Sequence, residues 1–341
     1  MKLYGAIDLH STNSVVSLID EQDRVVYQKR LDNDLTVILQ QLSPYRSSLE
    51  GIAVESTYNW YWLVDGLMEA DYQAHLVNTA AVKQYEGLKY TDDHSDARWL
   101  AHLLRLGILP QGYIYPKQER AVRDLMRKRS QLVRQRTVNL LSIQNLVTRN
   151  TGSSMSSNQI KVLGVDDVGS LLGNADHALA AQSNLWVLRC LEEQITKLER
   201  VLKGRVKLRP QFRYLKTVDG IGEILALTIM LETGEIKRFA GVGNFASYCR
   251  CVGSEKLSNG KRKGKGNTKN GNKYLAWAFV EAANFAVRFN PQIRRFYQRK
   301  KAKANGIVAI KAVAHKLARA CYYIMKDQVP FDVDKAFSKT V

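Results

Sequence analysis

Four carboxylates stand where a phosphoryl-transfer site would need them. Asp8 closes the apolar run Lys2–Asp8, and Glu55 follows directly on Gly51-Ile-Ala-Val, a compact run of the kind found in a central, doubly covered strand. Asp93 and Asp96 are spaced i, i+3 at the start of a helical pattern, so they share one face. Hard divalent cations take oxygen ligands, and two such ions roughly 3.5–4 Å apart clamp the attacking and leaving oxygens of an in-line displacement. Each acid also has a plainer role. Asp8 could cap the turn after it, and Asp93 or Asp96 could be a helix N-cap or a favourable first-turn charge. Glu55 is the hardest to explain that way, because a carboxylate straight after Ile-Ala-Val is costly to bury without a partner.

A second constellation surrounds Ser258 in Leu-Ser258-Asn-Gly-Lys-Arg-Lys-Gly-Lys-Gly. A serine hydroxyl is a poor nucleophile until a base or a positive field assists it, and clustered cations with glycine N–H groups would neutralise a phosphodiester under attack. From chemistry alone the plainer reading is a solvated basic loop that grips phosphates through Lys261, Arg262, Lys263, Lys265, Lys269 and Lys273, with Ser258 a turn residue. Ser254 is a rival nucleophile. His10 and His94 lie near acids, but a lone histidine is more often structural. Cys249-Arg-Cys251 has the wrong separation for a zinc knuckle, and no GxxxxGK[ST] supports a P-loop. Tyr58, Trp60, Trp62, Tyr85 and Tyr90 could stack on bases, although aromatic residues in such a segment are more often core.

The elements that must position these groups divide the chain into three: residues 1–112, 113–209 and 210–341. In the first, strands are expected at Lys2–Asp8, Ser14–Ile19, Val25–Gln28, Gly51–Glu55 and Ala74–Val77. Helices are expected at Leu35–Leu42, Tyr58–Met68 and from Asp93 onward, so three successive strands precede alternating helices and strands. The second begins with a long basic helix over 117–149, carrying nine Lys/Arg against Glu119 and Asp124. A break at Thr151–Ser157 and a weakly patterned stretch to Ala181 follow. Leu188, Leu191, Ile195, Leu198 and Leu202 then form a heptad seam. An antiparallel coiled-coil arm and a helical hairpin packed on the body fit equally. The third holds Val218-Asp-Gly-Ile-Gly222 before an apolar helix over Ile224–Leu231. Its glycines resemble a helix-hairpin-helix turn, a feature many helix pairs use purely for packing. Helices return at Tyr274–Arg288 and Val308–Lys326.

The chain has 341 residues, 51 Lys+Arg against 32 Asp+Glu, and a formal charge of +19. That excess recruits polyanions by counterion release, with nucleic acid the commonest partner. It is concentrated in the long basic helix and the C-terminal third, where Pro291–Ala320 holds nine Lys/Arg and no acid. No amphipathic or lipidated segment favours a membrane, and no window reaches ~18 apolar residues. Four cysteines make no disulfide framework, and an acid interrupts the N-terminus where a signal sequence needs apolar residues. A reducing, cytosolic compartment is expected.

The order Ile-Asp8-Leu-His, Val-Glu55-Ser-Thr-Tyr, Thr-Asp-Asp93-His-Ser-Asp96-Ala-Arg, Val-Asp-Gly-Ile-Gly, then Leu-Ser258-Asn-Gly and Gly-Asn-Lys-Tyr-Leu resembles the DEDD transposases of insertion sequences. These are the Piv/MooV-type, or IS-one-ten, recombinases, which include bridge-RNA-guided members. The resemblance runs over essentially the whole chain. It implies an α/β plus α architecture: a RuvC-like ribonuclease-H-fold domain, a helical coiled-coil arm, and a mostly helical C-terminal transposase domain with a helix-hairpin-helix-like element. It further implies Mg²⁺, with Mn²⁺ as substitute, on Asp8, Glu55, Asp93 and Asp96, and Ser258 as the nucleophile that becomes linked to a DNA phosphate. Donor and target duplex DNA, a structured guide RNA and a homo-oligomer, dimer or tetramer, are the implied partners. The family pattern Thr-Asp-x-x-Asp-Ala is doubled here to Thr91-Asp92-Asp93, leaving Asp92 open as the ligand; Pro is replaced by Asp219 before Gly-Ile-Gly. A water-using RuvC-like junction nuclease and a non-catalytic nucleic-acid-binding protein are the competing readings.

Overall fold

The computed structural model describes residues 1–82, 92–206, 209–253, 255–265 and 270–338, which form two compact units, Met1–Lys117 and Gln118–Val341. The first unit is built on a mixed sheet of β1 (Leu3–Leu9), β2 (Asn13–Ile19), β3 (Val25–Asp32), β4 (Leu49–Glu55) and β5 (Ala74–Val77) in the order β3-β2-β1-β4-β5. β1, β2 and β3 form an antiparallel meander, while β4 runs parallel to β1 and β5 parallel to β4. Helices α1 (Leu35–Leu42) and α2 (Tyr61–Glu69) cover one face, burying Ile38, Leu42, Leu63 and Leu67 against Ile7, Leu9, Ile52 and Val54. Helix α3 (Asp93–Arg105) covers the other, where Leu100 and Ala101 meet Ala6, Ala53 and Val77.

Strand alternation then fixes the aim of the acids. Asp8 lies two residues beyond Ala6 and Glu55 two beyond Ala53, so both point to the α3 face. Ile7 pairs with Val54 across the parallel ladder, which brings Asp8 and Glu55 level at adjoining carboxyl ends, the position where open α/β sheets place their ligands.

The second unit is helical: α4 (Lys117–Thr151), α5 (Ser157–Val162), α6 (Asp167–Leu172), α7 (Ala175–Val206), α8 (Pro210–Leu215), α9 (Glu223–Thr233), α10 (Val242–Tyr248), α11 (Lys273–Phe289), α12 (Pro291–Lys303), α13 (Gly306–Asp327) and α14 (Val333–Phe337). The weakly patterned stretch before Ala181 is α5, α6 and the start of α7. Helices α4 and α7 run antiparallel. Leu140, Ile143 and Val147 share one apolar cluster with Ala181, Leu185 and Leu188, and Arg129 pairs with Glu199 at 2.7 Å. At the other end Val122, Met126, Leu202 and Val206 join the core of α9, α11 and α13, so this helix pair and the C-terminal helices share one unit. Helix α9 is apolar on every side and sits at the centre of that core, as its run Ile-Leu-Ala-Leu-Thr-Ile-Met-Leu requires. In the Gly-Ile-Gly turn Gly220 allows close packing: its φ is +90°, and a Cβ there would lie 2.5 Å from the Ala282 carbonyl oxygen of α11.

The basic stretch read as a loop contains a hairpin of β6 (Glu255–Ser258) and β7 (Lys261–Lys265). Its turn is Asn259-Gly260, with φ of 50° and 70°, the left-handed pair that a two-residue hairpin demands.

Candidate active site

Helix α3 starts at a capping box. The Asp92 carboxylate accepts from the Ser95 N–H at 2.8 Å while the Ser95 hydroxyl oxygen accepts from the Asp92 N–H at 2.9 Å. Asp92 is thereby committed to the helix end. Asp93 and Asp96 fall in the first turn, on the side that continues into buried Ala97 and Leu100.

Asp8, Glu55 and Asp96 crowd like charges together. Asp8 is 3% exposed, and Glu55 shares a hydrogen bond with it. Burial foremost, then that bond and the charges of Asp8 and Asp96, push the Glu55 carboxyl up to about 8. Asp93 moves the other way: the Arg30 guanidinium, donating to Asp93 Oδ2 at 2.6 Å, holds its carboxyl below the usual range, with the His10 charge adding to the effect.

His10 completes the cluster. Its Nε2 lies 3.3 Å from Asp8 Oδ2 and 3.3 Å from Asp93 Oδ2, close enough for attraction but aligned for a hydrogen bond with neither. The ligand atoms of Asp8, His10 and Asp93 all lie within 4.8 Å of one another. The turn that presents His10 is clamped: its carbonyl accepts from Asn33 Nδ2 and from Asn59 Nδ2, each at 3.0 Å, and its N–H donates to the Asn13 carbonyl at 2.9 Å. Sequence reasoning set His10 aside. Its signal was the i, i+2 step from Asp8, which places two ligand types on one side of an extended chain.

This donor set fits a divalent cation. It offers carboxylate oxygens, a buried imidazole nitrogen without a hydrogen bond, and a Glu55 carboxyl whose raised value favours a proton that a cation would displace. When bound, such an ion supplies Lewis-acid polarisation of a phosphoryl oxygen.

A pH dependence follows from Glu55. Its folded value of about 8 lies above its ordinary 4.5, so the folded chain keeps a proton that the unfolded chain has lost. Between those values the metal-free unit is expected to lose stability as pH rises, a slope that Glu55→Gln removes. Below about 8, cation binding should release this proton, so apparent affinity should rise as pH rises. Calorimetric titration in buffers of different ionisation enthalpy counts the proton, and no release at pH 7 would refute a protonated Glu55.

In the second unit Ser258 is exposed, the last residue of β6, directly before the Asn259-Gly260 turn. Lys261, Lys263 and Lys273 are exposed. Ser254, Lys269, Tyr85, Tyr90 and the side chains of Arg262 and Lys265 lie outside the described residues. The base after the hairpin is held firmly. Asn272 donates its N–H to the Tyr248 carbonyl at 2.6 Å, and Arg250 Nη2 donates to the Gly271 carbonyl at 2.8 Å. Asn272 Nδ2 also donates to Glu232 at 2.7 Å, and that buried carboxylate receives both Arg127 Nε at 2.6 Å and Nη2 at 2.8 Å. Of the other aromatic candidates, Trp60 is core and Tyr58, three residues beyond Glu55, is 84% exposed.

Residues 6–150 match the DEDD transposase family of the IS110 type, and residues 212–298 match the transposase family IS116/IS110/IS902. A protein of Pseudomonas aeruginosa named "Probable family 20 transposase" is 24% identical over 290 residues, 83% of each chain. The class is thus that of transposases: DNA-binding, DNA-processing enzymes whose DEDD type requires a divalent metal. The chain belongs to the IS110-type transposases of insertion sequences. The mixed sheet and largely helical remainder are compatible with a RuvC-like DEDD fold, and among the described residues no helix is long and apolar enough to cross a membrane.

Proposed function

We propose that this transposase is a site-specific recombinase that cuts and rejoins DNA through a covalent 5′-phosphoserine at Ser258. The observation carrying the reading is the Asp8–His10–Asp93 cluster, with Glu55 hydrogen-bonded to Asp8 and Asp96 beside it, in a chain of this family. In this reading the first unit is a RuvC-like, ribonuclease-H-fold domain, α4 and α7 form a coiled-coil arm, and Gly220–Gly222 belongs to a helix-hairpin-helix-like element. Asp8, Glu55, Asp93 and Asp96 hold Mg²⁺, for which Mn²⁺ can substitute.

Ser258 Oγ attacks the scissile phosphorus; the P–Oγ bond forms as the P–O3′ bond breaks, and the serine proton ends on the departing 3′ oxygen. The reverse attack by a 3′-hydroxyl on the phosphoserine reseals the new junction and returns Ser258, so bond energy is conserved and ATP is not required. Lys261, Arg262, Lys263, Lys265, Lys269 and Lys273 grip backbone phosphates around the attacking hydroxyl. A structured guide RNA pairs with donor and target DNA, leaving the protein to bind backbone and shape as in other guided systems. Dimeric or tetrameric assembly is part of the reading.

Ser258→Ala tests it, with cleavage of the native flanking DNA and the covalent protein–DNA adduct as readouts. Both should vanish while cation binding by the first unit persists. Continued cutting without an adduct would instead establish a water-using junction nuclease. Sequencing the RNA that copurifies from cells expressing the gene with its flanks tests guidance: a discrete structured RNA encoded beside the gene is expected, and random RNA released by moderate salt would overturn it.

A further inference from the structure

One face of α11 is unused by this chemistry. Leu275, Ala278, Phe279, Ala282, Ala283 and Ala286 bury one side of the helix completely, yet Trp277 is 41% exposed, Phe285 40% and Phe289 69%. Steps of eight and four place these three aromatics on one stripe. The Phe285 and Phe289 rings are parallel to within 6°, with centroids 6.3 Å apart. That separation approaches two steps of the ~3.4 Å rise between stacked nucleotides.

The surrounding charge says what would cover such a stripe. The Arg288 guanidinium lies 5.9 Å from the Phe285 ring. Arg294 donates to the Val287 carbonyl at 3.0 Å and to the Arg288 carbonyl, which seats its cation at the end of α11. Arg295 and Arg299 are exposed on α12 and Lys273 is exposed at the start of α11, while the single acid of α11, half-buried Glu281, stands on the stripe between Trp277 and Phe285. A second copy of this face would press like charges together, and a neutral apolar partner would leave the cations idle. A polyanion built of flat rings uses both, the aromatics beneath bases and the cations on phosphates. Duplex bases are already stacked on one another, so the matching form is unpaired.

We infer that the α11 face is a stacking platform for unpaired nucleotides, with Trp277, Phe285 and Phe289 beneath bases and Arg288, Arg294 and Arg295 on the backbone. It rests on the transposase reading for the class of partner alone, and uses neither the acids nor Ser258.

The test measures binding of the full-length chain to a labelled oligothymidylate and to a duplex of equal length, across a salt series. The double variant Phe285→Ala/Phe289→Ala is expected to lose roughly 30-fold or more on the single strand, at one stacked base per ring, and less than about threefold on the duplex. The slope of affinity against salt should not change, because no ionic contact is removed. Phe289→Tyr should retain binding and Phe289→Leu should not, which separates stacking from simple apolar cover. Equal single-strand affinity of wild type and double variant overturns the platform. So does retained affinity with a fall in oligomeric mass, which makes the face a self-interface. Wild type that binds no nucleic acid overturns both platform and transposase reading, whereas wild type that binds and cuts while the variant matches it overturns the platform alone.

Discussion

Asp8→Asn is expected to abolish divalent-cation binding and slow strand cleavage by at least roughly 10³-fold, since a cation's charge stabilisation amounts to several kcal/mol. The substitution keeps the shape of a buried side chain and leaves an amide able to bond to Glu55, so the sheet and nucleic-acid affinity should survive. Relieved of its neighbour's charge, the Glu55 carboxyl should also titrate below its present value of about 8. Cation-dependent thermal shift, cleavage of flanking DNA and filter binding check the three parts. A variant that binds no cation yet recombines normally would reduce the acids to caps and framework. Loss of recombination with binding intact would exclude the non-catalytic alternative.

The second large effect is structural. Arg127→Ala strips the bidentate partner from Glu232, whose side chain is 1% exposed, and leaves a buried carboxylate with Asn272 as its remaining hydrogen-bond donor of those described above. Removing one member of such a pair costs about 3–5 kcal/mol. For a unit of this size the thermal midpoint should fall on the order of 10 °C. Replacing both Arg127 and Glu232 with Met should recover much of that loss, because no unpaired charge is then buried. Calorimetry of the two variants tests this, and equal midpoints for Arg127→Ala and wild type would refute it. The base after the Ser258 hairpin hangs on the same node through Asn272, so Arg127→Ala should also lower Ser258 adduct formation in protein that remains folded.

Where residues are buried on a regular period, the fold was legible in the sequence. Leu35–Leu42 and Ala74–Val77 form with the bounds expected of them, because apolar spacing and flanking polar residues agree there. The acid cluster was legible for a related reason: Asp8 and Glu55 lie at the carboxyl ends of strands that are apolar and buried just before them, so their charge demanded an explanation. Where burial is slight, the signal faded. β3 runs on through Lys29–Asp32 at the sheet edge, where exposed polar residues hide strand periodicity. The β6–β7 hairpin escaped because lysine and arginine replace the alternating apolar residues that usually flank an Asn-Gly turn. Helix α12 was missed alike, having Ile293 as its one fully buried residue. The hydrogen bonds that make Asp92 the cap of its helix are likewise invisible to spacing alone.

Ala6, Ala53, Ala97 and Ala101 are fully buried between the sheet and α3. These are the smallest side chains that can fill such a layer, and they seat the helix at methyl distance from the strands. The gap between the strand-end carboxylates and those of the helix is therefore gauged in part by four methyl groups, beside the larger Val77 and Leu100. In the proposed cation site, discrimination between a small ion and a larger one becomes a property of residues that never touch the ion. Tuning its metal preference would start one layer down, with Ala97 and Ala101, and would leave every ligand unchanged.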